Sequence, residues 1–167
     1  MYSLRLATVA DADALGQAVP VGVEGYRAFA GADWTPPAAE AEADSVRALL
    51  ADPDAVCFVA EDGAGLAGQV TVLPAARAGR PADDPGLAHL SNLFVREDLW
   101  GSGLARTLHD AALDAARQRE YVAMRLFVAA GQARARRFYE REGWAAVAEP
   151  FHEERLGLDM VEYRRPL

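Results

Sequence analysis

Leu93-Phe-Val-Arg-Glu-Asp-Leu-Trp-Gly-Ser-Gly-Leu-Ala105 decides the reading of this chain. Its apolar start predicts a strand and its two glycines a tight turn. Its end predicts the first turn of a helix that continues through Arg106-Thr-Leu-His-Asp-Ala-Ala-Leu-Asp-Ala-Ala-Arg117. A helix start leaves its first four backbone N–H groups without intrahelical partners, and the aligned peptide dipoles add partial positive charge there. Gly101 and Gly103 have no Cβ, so a ligand can approach that backbone closely. Residues 100–105 therefore predict a pocket for an anionic group, most naturally a phosphate. The Ser102 hydroxyl and the Arg106 charge would add to it. Glycines also make ordinary tight turns, so this reading leans on the rest of the chain.

Outward from that segment, residues 87–95 are apolar on both faces and predict a central strand. Alternation would put His89, Ser91 and Leu93 on one face of it. The helix over 102–119 carries Leu104, Leu108, Ala111, Ala112 and Ala115 on one stripe. A strand over 121–129 follows, then a helix over 132–142 ended by Gly143. Strands over 144–147 and 158–163 flank a loop over 148–157. Toward the N-terminus, residues 4–8 alternate as a strand. Helical pieces over 12–19 and 21–30 are divided by Pro20. Gly31-Ala-Asp-Trp-Thr-Pro-Pro37 predicts a loop, because a residue before proline avoids the helical region. A helix over 38–50, a hairpin of 56–60 with 66–73, and a Pro/Gly-rich loop over 74–86 complete the order. The expectation is one α/β domain over 1–167, a mixed sheet with helices on its faces.

A chain of 167 residues, half of them apolar, suits one globular core. No stretch approaches the roughly 18 apolar residues of a membrane span, and the first residues do not read as a signal peptide. With one cysteine, Cys57, no internal disulfide can form. Cys57 reads as a small core residue. These features predict a cytoplasmic protein without a membrane partner. The net charge of −8 argues against a nucleic-acid partner and is compatible with cationic acceptors through long-range steering. All 17 basic residues are arginine, which excludes Schiff-base or amine catalysis by lysine.

About thirty residues after the glycine turn stands Phe127-Val-Ala-Ala-Gly-Gln-Ala-Arg-Ala-Arg-Arg-Phe-Tyr-Glu-Arg-Glu-Gly-Trp144. Together the two segments resemble the GNAT superfamily of acetyl-CoA-dependent N-acetyltransferases. The family's Arg/Gln-x-x-Gly-x-Gly/Ala motif falls on Trp100-Gly-Ser-Gly103-Leu-Ala105. Its Asn-x-x-Ala-x-x-Phe-Tyr-x-x-x-Gly-Phe motif falls on Gln132 through Ala135, Phe138 and Tyr139 to Gly143 and Trp144. Trp100 and Gln132 depart from the pattern. The first removes a polar side chain near the pyrophosphate and leaves the backbone N–H groups intact. The second places an amide one methylene further out. The resemblance spans roughly residues 86 to 145, about a third of the chain. It implies a GNAT-like α+β fold, with a mostly antiparallel sheet flanked by helices on both faces.

The resemblance also implies acetyl-CoA as co-substrate and an amine-bearing small molecule or peptide as acceptor. Members are often homodimers, although the sequence carries no interface signature. The cofactor contacts implied are Phe94, Val95, Trp100, Gly101, Ser102, Gly103, Leu104, Ala105, Arg106, Gln132 and Phe138. Tyr139 would protonate the leaving thiolate, since a phenol of pKa about 10 carries its proton at neutral pH. A core tyrosine is the competing reading. His89 stands where many members carry a glutamate general base. Its ordinary pKa of about 6.5 suits that role, and a satisfied core histidine is equally open. His152 and Glu153 are second candidates, while His109 reads as structural or exposed. Glu24, Tyr26, Phe29 and Trp34 lie where the family places its acceptor-binding helices. No metal site is expected, because no cluster has ligand spacing. Two other readings stay open: a non-catalytic acyl-CoA-binding sensor or interaction module, and a Rossmann-type nucleotide domain. The latter is disfavoured by Arg106 in the position of the last glycine.

Overall fold

The computed structural model describes residues 1–167. The chain forms β1 (Ser3–Leu6), α1 (Ala12–Val23), α2 (Arg27–Ala30), α3 (Ala39–Leu50), β2 (Val56–Asp62), β3 (Gly65–Pro74) and β4 (Leu87–Val95). There follow α4 (Leu104–Gln118), β5 (Ala123–Ala129), α5 (Ala133–Arg141), β6 (Ala145–Ala146), β7 (Phe151–Glu153) and β8 (Leu158–Pro166). The strands make one sheet in the order β1-β2-β3-β4-β5-β8-β6, with β7 added on β8. Every pairing is antiparallel except β4 with β5. The expected mixed, mostly antiparallel sheet with helices on both faces is the fold observed. No helix is long and apolar enough to cross a membrane.

The two faces bury different stripes. Leu104, Leu108, Ala112, Leu113 and Ala116 of α4 pack on Val70, Val72, Ala88, Leu90, Leu126 and Val128. The spacing of the α4 residues is the 3–4 residue repeat of one helix side, so burying that side fixes α4 against the sheet. Ala12 and Leu15 of α1 and Val46 of α3 cover Cys57 and Val59 on the opposite face. The expected role of Cys57 as a small core residue holds.

Three local expectations are corrected. Pro20 does not end its helix, since α1 runs from Ala12 to Val23. Proline removes one helical hydrogen bond, but Gly16 is locked against α3, where an added Cβ would lie 2.5 Å from the Ala43 backbone. Tertiary packing outweighs the lost bond. The region read as a loop over 148–157 contains β7, too short for a pattern but paired with β8 through Phe151, His152 and Glu153. β4 is bulged against β3. Thr71 pairs with Ser91 and Gln69 with Phe94, so two residues of β4 oppose one of β3. Asn92 takes φ 53° there. This bulge turns Leu93 toward the α4 core, so His89, Ser91 and Leu93 do not share a face.

Gly16→Ala should destabilise the fold although alanine is the better helix former. The new methyl has backbone in its way, and overpacking typically costs about 1–3 kcal/mol. A urea midpoint at or above that of the parent protein would show that α1 and α3 separate freely.

Candidate active site

The one parallel pair is also the place where the sheet opens. β4 and β5 are in register only at Leu87 with Ala123, Ala88 with Met124 and His89 with Arg125. Both strands continue, to Val95 and to Ala129, without further pairing to each other. Each leads into a helix, β4 through the glycine turn into α4 and β5 into α5. The starts of both helices therefore lie at the carboxyl ends of two diverging strands, a position that favours anionic ligands in open α/β sheets.

The turn has the geometry a close-bound ligand requires. Gly101 and Gly103 adopt φ 83° and 90°, and a Cβ at either would meet nothing within 4 Å. Ser102 Oγ accepts the Leu104 N–H at 3.3 Å. The N–H groups of Ala105 and Arg106 lie in the first helical turn, where no intrahelical acceptor exists. The Leu104 side chain is fully buried. The Arg106 side chain is mostly exposed and lies 3.5 Å from Glu142.

Trp100 donates its indole N–H to the Val95 carbonyl at 2.9 Å, tying the turn to the end of β4. The Arg134 guanidinium sits over its ring, 3.8 Å from the centroid. The first turn of α5 thus carries a cation onto the glycine turn. Arg134 was not among the expected site residues. Three arginines stand close together on α5, and only the tertiary stack separates it from Arg136, which donates to the Tyr163 hydroxyl and the Ala130 carbonyl. Gln132 is the residue before α5 and makes no side-chain capping bond. Phe94, on the half-buried end of β4, faces Gly22 of α1.

A profile of the Acetyltransferase (GNAT) family matches residues 23–144. The chain belongs to the GNAT acetyltransferase family. Solved structures of similar fold include a ribosomal-protein-alanine N-acetyltransferase from Brucella melitensis, 23% identical, with a TM-score of 0.75 over 99% of both chains. An acetyltransferase from Thermus thermophilus is 24% identical, with a TM-score of 0.72 over 100% of this chain and 97% of that one. A GCN5-related N-acetyltransferase from Kribbella flavida is 21% identical, with a TM-score of 0.71 over 99% and 98%. No curated protein matched the sequence at a significant level.

In this GNAT domain Tyr139 lies between Phe138 and Trp144, with ring centroids 5.3 and 5.9 Å away. It is buried in the α4-side core. Burial, and secondarily Tyr26, pushes its hydroxyl well above the ordinary phenol range, so it is protonated at any physiological pH. Phe138 also meets His109 edge-on at 5.9 Å. His109 is fully buried. Its Nε2 accepts the Trp144 indole N–H at 2.9 Å and its Nδ1 faces Asp110 at 3.1 Å. That places it with the structural reading and ties α4 to the end of α5.

His89 is on the other face of the sheet, 4.8 Å from the Phe127 ring. It is not brought against Tyr139. Burial first, and Arg125 second, push its imidazole down to about 3. His152 is exposed beside Asp159, and both Glu153 carboxylate oxygens cap the following turn at Arg155 N and Leu156 N. The aromatic residues near the N-terminus do gather: Tyr26 packs on Phe29 and Trp34 at 5.4 and 6.2 Å. Phe29 in turn fills the space over Gly131, where an added Cβ would lie 2.4 Å from its ring. Glu24 is paired with Arg27. The Trp34 indole donates to the Leu156 carbonyl at 2.7 Å. Three buried side-chain polar atoms lack a partner: Gln69 Nε2, His89 Nδ1 and Arg125 Nε. All three residues lie on the sheet face away from α4.

The His89 environment makes stability depend on pH. The folded imidazole stays neutral down to about 3, while the unfolded one takes up its proton near 6.5. Between those values the unfolded state binds more protons. The contribution is therefore full above 6.5 and is lost as pH falls toward 3, by up to about 1.4 kcal/mol per pH unit. From pH 6.5 to about 4.5, His89→Gln should lose roughly 2 kcal/mol less than the parent protein in urea titrations. Parallel losses in the two proteins would mean that His89 titrates normally in the fold.

Proposed function

We propose that this GNAT domain transfers the acetyl group of acetyl-CoA to an amine acceptor by direct attack within a ternary complex. The observation that carries the reading is the open glycine turn at the start of α4, set where β4 and β5 diverge and faced by Arg134. Acetyl-CoA is a substrate here and supplies the acyl group as a thioester. The backbone N–H groups of Ala105 and Arg106, with Gly101 and Gly103 leaving room, would hold its pyrophosphate. Trp100, Ser102 and Leu104 shape that turn. Phe94, Val95, Gln132 and Phe138 would border the arm leading to the thioester, where the separated edges of β4 and β5 leave backbone groups free to pair with it.

The amine nitrogen attacks the thioester carbonyl carbon, a C–N bond forms and the C–S bond breaks. Tyr139, protonated at neutral pH as an ordinary phenol is, would give its proton to the departing sulfur, although burial makes it a weaker acid than a free phenol. The proton shed by the amine would pass to His89 and on to water. An imidazole held near 3 is a weak acceptor, so this share of catalysis sits at the low end of the general-base range. The acceptor would enter from the side lined by Tyr26, Phe29 and Trp34. The test is a screen of small and peptidic amines with acetyl-CoA and a thiol readout. No amine-dependent thiol release, with CoA bound, would leave a sensor instead of an enzyme.

Trp100 and Arg134 give a sharper check of the phosphate site. A cation over an exposed aromatic ring is worth about 0.5–1 kcal/mol. Trp100→Ala should release Arg134, and Arg134→Gln should remove the charge. Each should weaken CoA binding several-fold, and the double variant should be little worse than either single one, because the pair acts as a unit. Calorimetric titration measures this, and unchanged affinity in Arg134→Gln would remove Arg134 from the site.

A further inference from the structure

Arg125 is 2% exposed, and its side chain is only partly satisfied. Its Nη2 donates to the carbonyls of Ala75, Ala78 and Arg80, which holds the loop after β3 in place. Its Nε has no partner. The residue in register with it across the parallel pair is His89, whose Nδ1 also lacks a partner. Both side chains lie against Phe127, the guanidinium carbon 4.9 Å and the imidazole 4.8 Å from its ring centroid. This is the last paired position before β4 and β5 part, on the face opposite α4.

The local charge runs against that of the whole chain. The sequence has 25 acidic residues against 17 basic ones. Yet the charged groups that Arg125 feels are Arg164, Arg80 and a single carboxylate, Glu162. Glu162 is itself engaged by Arg164 Nε at 2.7 Å. Arg80 lies over Phe151, 4.1 Å from the centroid, and Phe151 packs edge-on against Phe127 at 5.0 Å. A buried guanidinium requires compensation, and here three cations share one anion. An unpaired N–H on a buried cation beside an unpaired imidazole nitrogen is the donor set for a carboxylate.

We propose that Arg125 and His89 form an acceptor subsite for a carboxylate, so that the amine acetylated here belongs to an amino acid or another carboxylate-bearing amine. Arg125 Nε–H and His89 Nδ1–H would donate to it. The negative net charge would then serve solubility and not select a polycation. The bound carboxylate would also offset the Arg125 charge beside His89, making His89 a better proton acceptor when acceptor is present. This inference rests on the proposed acetyl transfer and names the acceptor class for that site.

The test compares matched pairs with the CoA-bound protein: L-phenylalanine with phenethylamine, L-methionine with 3-(methylthio)propylamine, and L-glutamine with 4-aminobutanamide. Binding is read by calorimetry and transfer by thiol release from acetyl-CoA. At least one member with the α-carboxylate should be favoured over its twin by roughly ten- to hundredfold, the range for a hydrogen bond to a charged group. Arg125→Gln should bring that ratio close to one through KM, and Arg125→Lys should restore part of it. Because Arg125 also anchors a loop, Arg80→Gln provides a second variant that keeps the anchor and should lower the ratio several-fold. Equal or better use of the twins lacking the α-carboxylate would overturn the subsite, as would an unchanged ratio in a folded Arg125→Gln protein. Failure of every α-carboxylate member to bind would do the same. Binding of such members without thiol release would instead overturn acetyl transfer and leave the subsite standing.

Discussion

Gly103→Val abolishes CoA binding while the protein stays folded: that is the expected result at the glycine turn. Gly103 has φ 90°, a region a β-branched residue enters only under strain. The strain costs on the order of 1–3 kcal/mol, which lowers the melting temperature without unfolding a domain of this size. The added side chain meets nothing of the protein within 4 Å of its Cβ. It instead fills the space in which a phosphate would meet the Ala105 and Arg106 N–H groups. Gly65→Val is the matched control: φ is 103°, a Cβ there also meets open space, and the position is in the β2–β3 hairpin. The two variants should lose similar stability, and only Gly65→Val should retain the CoA-induced rise in melting temperature. That rise reflects about 2.7 kcal/mol at a hundredfold excess over the dissociation constant. Retained affinity in Gly103→Val would place the phosphates elsewhere.

The elements around this turn were legible because their signals are local. The strand over 87–95, the stripe on α4 and the glycine that ends α5 each follow from short-range rules, and the observed β4 has those very bounds. What escaped was long-range. Asn92 looks like any polar residue in a strand, and nothing nearby announces that it will take a left-handed conformation and turn Leu93 over. Asparagine is one of the few side chains that tolerate that region. Pro20 carries the correct local warning, which the close approach of Gly16 to Ala43 overrides.

The same division runs through the site. Trp100 stands in sequence as the loss of a polar contact to phosphate. In the fold its ring is the platform on which Arg134 brings a charge from another helix. His89 was legible as a histidine on a central strand. Its weak basicity was not, because that depends on burial and on Arg125 in the next strand. The glutamate of the loop candidates, Glu153, is consumed by the turn it caps. Side-chain type indicates what chemistry is available, and partners from distant segments decide whether it is spent on structure.

Tyr139→Phe should cut turnover by one to several orders of magnitude with little change in CoA affinity. The ring packs between Phe138 and Trp144, and phenylalanine preserves both contacts. Only the hydroxyl is lost. The phenol is protonated at neutral pH, and burial raises its pKa further, which makes it a weaker acid and lowers the driving force for transfer to sulfur. General acid catalysis is typically worth about 10²–10⁴ in rate, or roughly 1.4 kcal/mol of barrier for each tenfold step. A thiolate is a tolerable leaving group, which draws the expected loss toward the lower end. Two further readouts separate an acid from a packing residue. The variant's kcat should fall while KM for acetyl-CoA stays constant, since the proton is needed only as the C–S bond breaks. Acetyl thioesters of more acidic thiols, whose departure needs less help, should recover much of the lost rate. Near-normal turnover in a stable Tyr139→Phe protein would reduce the residue to core packing. An equal loss with every thioester would show that the hydroxyl orients the substrate and does not protonate the sulfur.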